Sequence, residues 1–380
     1  MGRDAGEKAG TGLRVVVTGG GTGGHLFPGV AVAEALGCRF PGGEVLFIGT
    51  ERQIDAKVLG DRSFQVTALR CGALKGKSPL TILRTLARMP LSLLRAMRVV
   101  GRFRPGLVFG VGGYVTGPVV LAARLLGIAT CIHEQNSVPG LANRLLGRVV
   151  DRVFISLPGS EAYFPVGKTV LTGNPVRREI LAAKQAGPVN TGHLTLLVLG
   201  GSQGAHRVNT LVVGALQQLT GRLPENFMVI HQTGQADAEM VRQAYADLGL
   251  TARVAPFFTD MAEVYQAADF VVSRAGATTL AEIAALEKPA LLIPYPYAAD
   301  DHQEKNGHYL VNGGGARMYL ERELDAARLA AEIMELVQDP EQRRRMAEKM
   351  GRLAMPRATE SIVQECLALL GYEEPAQKIA

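Results

Sequence analysis

The amino-acid sequence predicts an α/β protein made of two doubly wound domains, and three observations carry that prediction. The apolar run Leu13-Arg14-Val15-Val16-Val17 closes on the glycine-rich stretch GGGTGGHLFP, residues 19 to 28. Apolar residues at helical spacing follow it (Val30, Val32, Ala33, Leu36), which reads as strand, tight turn, helix. The same plan begins again at Leu194–Leu199, with Gly200-Gly201-Ser202-Gln203-Gly204-Ala205 and a helix from about Val208. A chain of 380 residues, 47% apolar, also exceeds what one core usually supports. Abundant glycine (45 residues) and the absence of tryptophan suit a loop-rich α/β protein better than a β-sandwich.

The first glycine loop turns its backbone amides outward. Glycine allows positive φ and close approach of a ligand, and the helix expected from about Phe27-Pro28 adds a positive dipole end. His25 stands at the mouth of this loop, where an imidazole can transfer a proton near neutral pH. Gly19, Gly21 and Gly24 also fit G-x-G-x-x-G, and Glu51 ends the next strand, where a dinucleotide-binding domain holds its ribose acid. The loop alone therefore leaves a phosphate, a sugar phosphate, a dinucleotide and a purely structural turn open.

Composition narrows the classes. Cys38, Cys71, Cys131 and Cys366 show no CxxC and no histidine at ligand spacing, so they read as reduced core thiols in a cytosolic protein. The polar, Gly-rich residues 1–12 read as a disordered tail, and no apolar run is long enough to cross a bilayer. Net charge is +6, but its distribution is more telling. Between Arg62 and His133 there is neither Asp nor Glu, against eleven Arg and Lys residues from Arg62 to Arg124, which implies an anionic partner.

In chain order, strand Val45–Ile48 and the stretch Gln65–Leu69 lead through CGALKGKSP to residues 80–104. There Leu, Ile, Met and Val alternate with Arg84, Arg88, Arg95, Arg98 and Arg102, which share one narrow arc. Pro90 predicts two consecutive helices in this stretch. Their basic, acid-free face suits either water or an anionic lipid surface. Strand Leu107–Val111 ends in Gly112-Gly113-Tyr114, and strand Ala129–Ile132 ends in His133-Glu134-Gln135-Asn136. Polar residues at the carboxyl end of a parallel strand face the crevice where ligands bind, so Asn136 reads as functional and His133 as structural. After strand Arg152–Ser156, the Gly173-Asn174-Pro175 turn reads as a domain boundary.

In the second half, strands are expected at Met228–His231, Ala252–Ala255, Phe270–Ser273 and Ala290–Ile293. The segment Ser273-Arg274-Ala275-Gly276-Ala277-Thr278-Thr279-Leu280-Ala281-Glu282 starts a helix with small residues, leaving amides for a phosphate. Glu282, one turn in, can accept from two vicinal ribose hydroxyls or simply match the helix dipole. A Pro-rich loop brings Gln303 to the same edge, and a last helix from about Thr359 to Leu370 follows Pro356 and can return to the first domain.

Taken together, GGTGGHLFP, GGYVTGP, HEQN, GNPVR, GGSQGAHRVN, SRAGATTLAE and DDHQEKN, in this order over residues 14 to 370, resemble the MurG family of bacterial glycosyltransferases. The resemblance implies the GT-B architecture, two Rossmann-like domains facing across a cleft. The N-terminal acceptor and membrane-facing domain would span 13–175, the UDP-sugar domain 176–356, and helix 357–380 would pack back on the first. It implies a hexosyltransferase without cofactor or metal. The enzyme would move N-acetylglucosamine, with inversion, from UDP-N-acetylglucosamine to the 4-hydroxyl of undecaprenyl-pyrophosphoryl-N-acetylmuramyl-pentapeptide, in peptidoglycan synthesis. The expected partners are these two substrates, the anionic cytoplasmic face of the plasma membrane and cell-wall synthesis proteins, with no nucleic acid.

The same resemblance assigns residues. Phe258 backbone would lie beside the uracil, Glu282 on the ribose, and Ser202 with Ala277, Thr278, Thr279, Leu280 and Ala281 around the diphosphate. Arg177 and Gln303 would reach the nucleotide sugar, and Thr22, Gly23, Gly24 and Asn136 would approach from the other domain. His25, as base or acceptor orienter, would lie with Tyr114 and Lys75 on the acceptor side. No Asp-x-Asp follows an apolar strand, so helix amides, Ser202 and the charge of Arg177 would stabilise the leaving diphosphate. Another GT-B lipid glycosyltransferase, a UDP-sugar epimerase and a nicotinamide-dependent dehydrogenase are the competing readings.

Overall fold

The protein is described by a computed structural model covering residues 12–21, 23–39, 42–51, 55, 59–60, 64–69, 79–187, 189, 191–201 and 203–372, with side chains of 79–88 excepted. The expected tail up to residue 11 and the expectations for Thr22, Cys71, Lys75 and Ser202 lie outside these residues.

The chain divides into two compact units: residues 1–135, 139–175 and 357–380 form one, and 136–138 with 176–356 the other. In the first unit β1 (Arg14–Thr18), β2 (Glu44–Gly49), β3 (Gln65–Ala68), β4 (Leu107–Gly110), β5 (Ala129–Glu134), β6 (Arg152–Ile155) and β7 (Thr169–Leu171) form one sheet. Its order is β3-β2-β1-β4-β5-β6-β7, and every pairing is parallel. Helices α1 (Gly23–Arg39), α2 (Pro79–Phe103), α3 (Thr116–Leu125) and α4 (Leu141–Leu146) connect these strands. Alternate residues of the central strands enter different cores. Val15, Val17, Phe47 and Phe109 pack on one side, and Val16, Leu46, Ile48 and Val108 on the other. Burial on both faces is why these strands read as unbroken apolar runs.

The second unit repeats the plan with six parallel strands: β8 (Leu194–Leu199), β9 (Phe227–Gln232), β10 (Thr251–Ala255), β11 (Phe270–Ser273), β12 (Ala290–Leu292) and β13 (Ala316–Met318). Their order is β10-β9-β8-β11-β12-β13. The helices are α5 (Arg178–Ala186), α6 (His206–Gln218), α7 (Ala238–Asp247), α8 (Met261–Ala267), α9 (Ala277–Ala285), α10 (His302–Asn312), α11 (Ala326–Gln338) and α12 (Pro340–Arg352). The last helix, α13 (Ala358–Leu369), belongs to the first unit and seats Ile362, Val363, Cys366 and Leu367 in the core beside Val15 and Phe109. In both sheets the winding reverses beside the first strand, at β1/β4 and at β8/β11. Loops at the carboxyl ends of those strands therefore border a switch point.

Three expectations are corrected. Residues 79–103 form one helix that runs through Pro90. A proline removes one backbone donor and its ring crowds one carbonyl, which bends a helix without ending it when the ring lies on the exposed side, as it does here. Helix α1 begins at Gly23, ahead of Phe27-Pro28, so His25 lies in its first turn rather than in the loop. Cys38 is exposed at the end of α1, so it is not a core thiol, whereas Cys131 and Cys366 are fully buried with sulfurs 3.7 Å apart.

Candidate functional site

In the first unit the loop after β1 and the loop after β4 meet at the switch point, and His25 joins them. Its ring lies against Gly112, where a Cβ would stand 2.8 Å from His25 Nδ1 and where φ is +99°. Only glycine meets both conditions without strain. His25 Nδ1 lies 3.1 Å from Gln135 Oε1. The Gln135 amide is oriented by two further contacts, because its Nε2 donates to Val111 O at 2.8 Å and to His133 Nδ1 at 3.1 Å. With Nε2 so placed, Oε1 must face His25. The proton of a neutral His25 therefore sits on Nδ1, and Nε2 keeps its lone pair. Burial lowers the His25 pKa below its ordinary value, against the hydrogen bonds its ring donates to Gln135 and Val111.

His133 is the structural histidine expected. Its Nε2 donates to Gly173 O at 3.1 Å with Ser156 Oγ at 3.0 Å, tying β5 to the Gly-Asn-Pro turn. Burial pushes its pKa down to about 4. Tyr114 is 39% exposed beside these loops, and Gly23 and Gly24 open α1.

In the second unit the expected donor residues gather at the carboxyl edge of the sheet. Helix α9 opens with Ala277, Thr278, Thr279, Leu280, Ala281 and Glu282, and its N-cap Gly276 offers no capping side chain. Anionic oxygens are stabilised at such a helix start. Glu282, 4% exposed, accepts from Arg177 Nε at 2.9 Å and from the Tyr265 hydroxyl at 3.1 Å. Burial raises the carboxyl pKa while Arg177 works against it. Burial likewise disfavours the guanidinium charge, but Glu282 holds the Arg177 pKa above its usual value. Arg177 is thus part of a buried neutral pair, and its charge is already matched before any diphosphate arrives. Gln303 uses its Oε1 to accept Ala275 N–H at 3.2 Å and Tyr295 N–H at 2.9 Å, bracing the loop ahead of α9. Asn136, expected with the first domain, clusters with the second unit, where Asn306 Nδ2 donates to its Oδ1 at 3.0 Å.

Four residues with roles here escaped the sequence reading. Asp55 lies under the first glycine loop, 1% exposed, accepting Gly21 N–H at 2.9 Å and the Thr50 N–H and hydroxyl at 2.8 and 2.6 Å. Gln135 stands in the HEQN run, beside the Asn136 to which the sequence points. Gln232 ends β9 and bridges two loops, donating to Gly201 O at 3.2 Å and accepting Phe258 N–H at 3.0 Å. The Phe258 amide expected beside uracil is thus paired within the protein. Asn306 accepts Ser137 N–H at 2.8 Å. A polar residue at a strand end was the available signal for Gln135 and Gln232, Asn306 closes the DDHQEKN run, and Asp55 carries no such signal.

Known proteins match this chain along most of its length. The model of the glycosyltransferase family 28 N-terminal domain matches residues 15–155, and that of the family's C-terminal domain residues 195–362. A UDP-N-acetylglucosamine–N-acetylmuramyl-(pentapeptide) pyrophosphoryl-undecaprenol N-acetylglucosamine transferase of Desulfotalea psychrophila is 50% identical, covering 95% of this chain and 98% of its own. The crystal structure of Acinetobacter baumannii MurG superposes with a TM-score of 0.73 at 33% identity, covering 94% of this chain and 99% of its own. A UDP-GlcNAc 2-epimerase from Neisseria meningitidis, solved with UDP-GlcNAc, shares the fold alone, at 15% identity and a TM-score of 0.65 over 94% and 100% of the two chains.

Proposed function

This chain belongs to glycosyltransferase family 28 and has the GT-B fold, and from that premise we propose that it transfers N-acetylglucosamine from UDP-N-acetylglucosamine to N-acetylmuramyl-(pentapeptide) pyrophosphoryl-undecaprenol, the lipid I to lipid II step of peptidoglycan synthesis. The observation that carries the donor half of this reading is the convergence of Glu282, the α9 start and Gln303 on one sheet edge. Glu282 Oε2 has accepting capacity beyond the Tyr265 hydroxyl, which suits a ribose hydroxyl. The diphosphate lies at the start of α9, whose oriented amides stabilise the leaving group. Arg177 serves by holding Glu282 in place rather than by its charge, which revises the sequence expectation.

The acceptor meets the first unit. Its 4-hydroxyl loses a proton to His25 Nε2 as it attacks the anomeric carbon opposite the diphosphate, so the product is inverted. A neutral imidazole with its lone pair on Nε2 is the state that Gln135 enforces. Tyr114, Gly23 and Gly24 of the first unit serve the acceptor, and Asn136 of the second unit serves the donor sugar.

The lipid tail of the acceptor calls for a membrane surface. No described helix is long and apolar enough to cross a bilayer. On α2, exposed Leu91, Leu94, Arg95, Arg98 and Arg102 share an arc of about 100°, while Ala96 and Val100 are buried against the core. This face supports peripheral binding to anionic lipid, on the cytoplasmic side where UDP-sugars are available.

The test is transfer of label from UDP-N-acetylglucosamine to a short-chain lipid acceptor, with a 1,4-linked disaccharide as product. Release of UDP with no disaccharide, or formation of a 2-epimer, would reject the assignment.

A further inference from the structure

Each unit places a glycine loop after its first strand, at the same switch point of the same sheet order. The two loops differ in what lies beneath them. Under the second is a neutral amide, Gln232, 5% exposed. Under the first is a carboxylate, Asp55, 1% exposed. Its Oδ1 accepts the Gly21 amide, and its Oδ2 accepts the amide and hydroxyl of Thr50 at the end of β2. The carboxylate is pressed against the loop, because a Cβ at Gly20 would fall 2.2 Å from Oδ2, with φ at +138°. A carboxylate on the Gly21 amide, beside a helix start, makes a contact of the kind a bound phosphate makes there. A second anion brought to this loop meets a like charge in a poorly solvated place.

We propose that Asp55 is a positioning residue that serves as the built-in anion of the first glycine loop, fixing the turn that delivers His25 and closing that loop to phosphate, so that the nucleotide diphosphate is left to the α9 start of the second unit. The fixing follows from connectivity. Gly21 is held by Asp55, α1 begins two residues later, and His25 lies in its first turn. The proposal rests on the donor and acceptor assignment of the preceding section.

The test uses the full chain with Asp55→Ala and Asp55→Asn, in which the amide keeps the size but sets N–H against N–H. In a folded Asp55→Ala variant, kcat falls about 10- to 100-fold while the KM for UDP-N-acetylglucosamine stays within about twofold, because a small displacement of a positioned base is costly and the donor site lies elsewhere. Formate, a carboxylate that fits the emptied place, restores part of kcat in Asp55→Ala and has no such effect on the wild type or on Asp55→Asn. Inorganic phosphate raises the melting temperature of Asp55→Ala more than that of the wild type. Unchanged kcat in the folded variant, or a loss that formate leaves untouched, overturns the proposal. If Asp55→Ala does not fold, Asp55→Asn decides: lowered kcat at constant KM supports the role, and wild-type kcat ends it. A wild-type protein that transfers no sugar would instead unseat the functional reading, and the phosphate melting comparison would still decide the role of Asp55.

Discussion

Two nitrogens of Arg177, Nε and Nη2, both approach the same oxygen of Glu282, Oε1, at 2.9 Å, leaving Oε2 to the Tyr265 hydroxyl. One oxygen thus belongs to the protein, and the other is shared with whatever reaches it.

Removing that carboxylate has two effects with different origins. Glu282→Ala weakens UDP binding by roughly 1 to 3 kcal/mol, the cost of losing a hydrogen bond to a charged group. It also lowers stability by about 3 to 5 kcal/mol, because the largely buried Arg177 loses the carboxylate that matches its charge. The double variant Glu282→Leu with Arg177→Met recovers stability but not UDP affinity. Calorimetric titration with UDP and urea unfolding separate the two effects, and full UDP affinity in folded Glu282→Ala would remove the carboxylate from the donor site.

His25→Ala lowers turnover by roughly two to four orders of magnitude while donor affinity persists. Because burial lowers its pKa, the imidazole is neutral at pH 7, and activity declines only as pH falls below the ordinary histidine value. Near-normal turnover of the variant would move the base to another residue.

Gln135→Glu sets a carboxylate where Oε1 now faces His25 Nδ1. A negative charge there favours the imidazolium and raises the His25 pKa, so the acid limb of the kcat/KM profile moves to higher pH. A limb that stays in place or moves to lower pH would show that Gln135 does not govern the base.

Burial pushes His133 to about 4 and His231 to about 3. Both lie below the unfolded value of about 6.5, so between these limits the unfolded chain binds more protons, and stability is lost as pH falls from about 6.5 toward 4. The urea midpoint is therefore lower at pH 5 than at pH 7, and the ring signals of both histidines stay unchanged in the folded protein over that range. Titration of either ring near 6.5 would contradict the burial.

Cosedimentation with vesicles checks the exposed face of α2. Binding to vesicles containing phosphatidylglycerol exceeds binding to neutral vesicles and weakens with salt. Replacing Arg95, Arg98 and Arg102 by Ser removes the difference. Equal binding to both vesicle types would return these arginines to a purely solvated role.

The sequence made the two-unit plan legible because glycine loops and doubly buried strands are local signals. Leu194–Leu199 and Phe270–Ser273 appear in the structure with the bounds expected of them. Residue types were likewise legible where a strand ends or a helix begins, as at Glu282 and His25. What escaped were relationships. Nothing near Asp55 tells that its carboxylate reaches Gly21, and nothing near Arg177 tells that its partner is Glu282, because both pairings are made by sheet order. Pro90 shows the limit of a local signal: a proline predicts a break between two helices, yet the exposed side of one helix absorbs it.

The first unit draws its final core helix from the far end of the chain. Strand β1 and helix α13, which pack in one core, are separated in order of synthesis by the whole second unit. On the ribosome, the earlier-made unit must wait with Val15, Phe109 and Cys131 incompletely covered until Ile362 and Cys366 emerge, while the later-made unit already has all its strands. Vectorial synthesis therefore completes this protein out of sequence. A nonsense codon just before Ala358 would damage the half of the protein translated first.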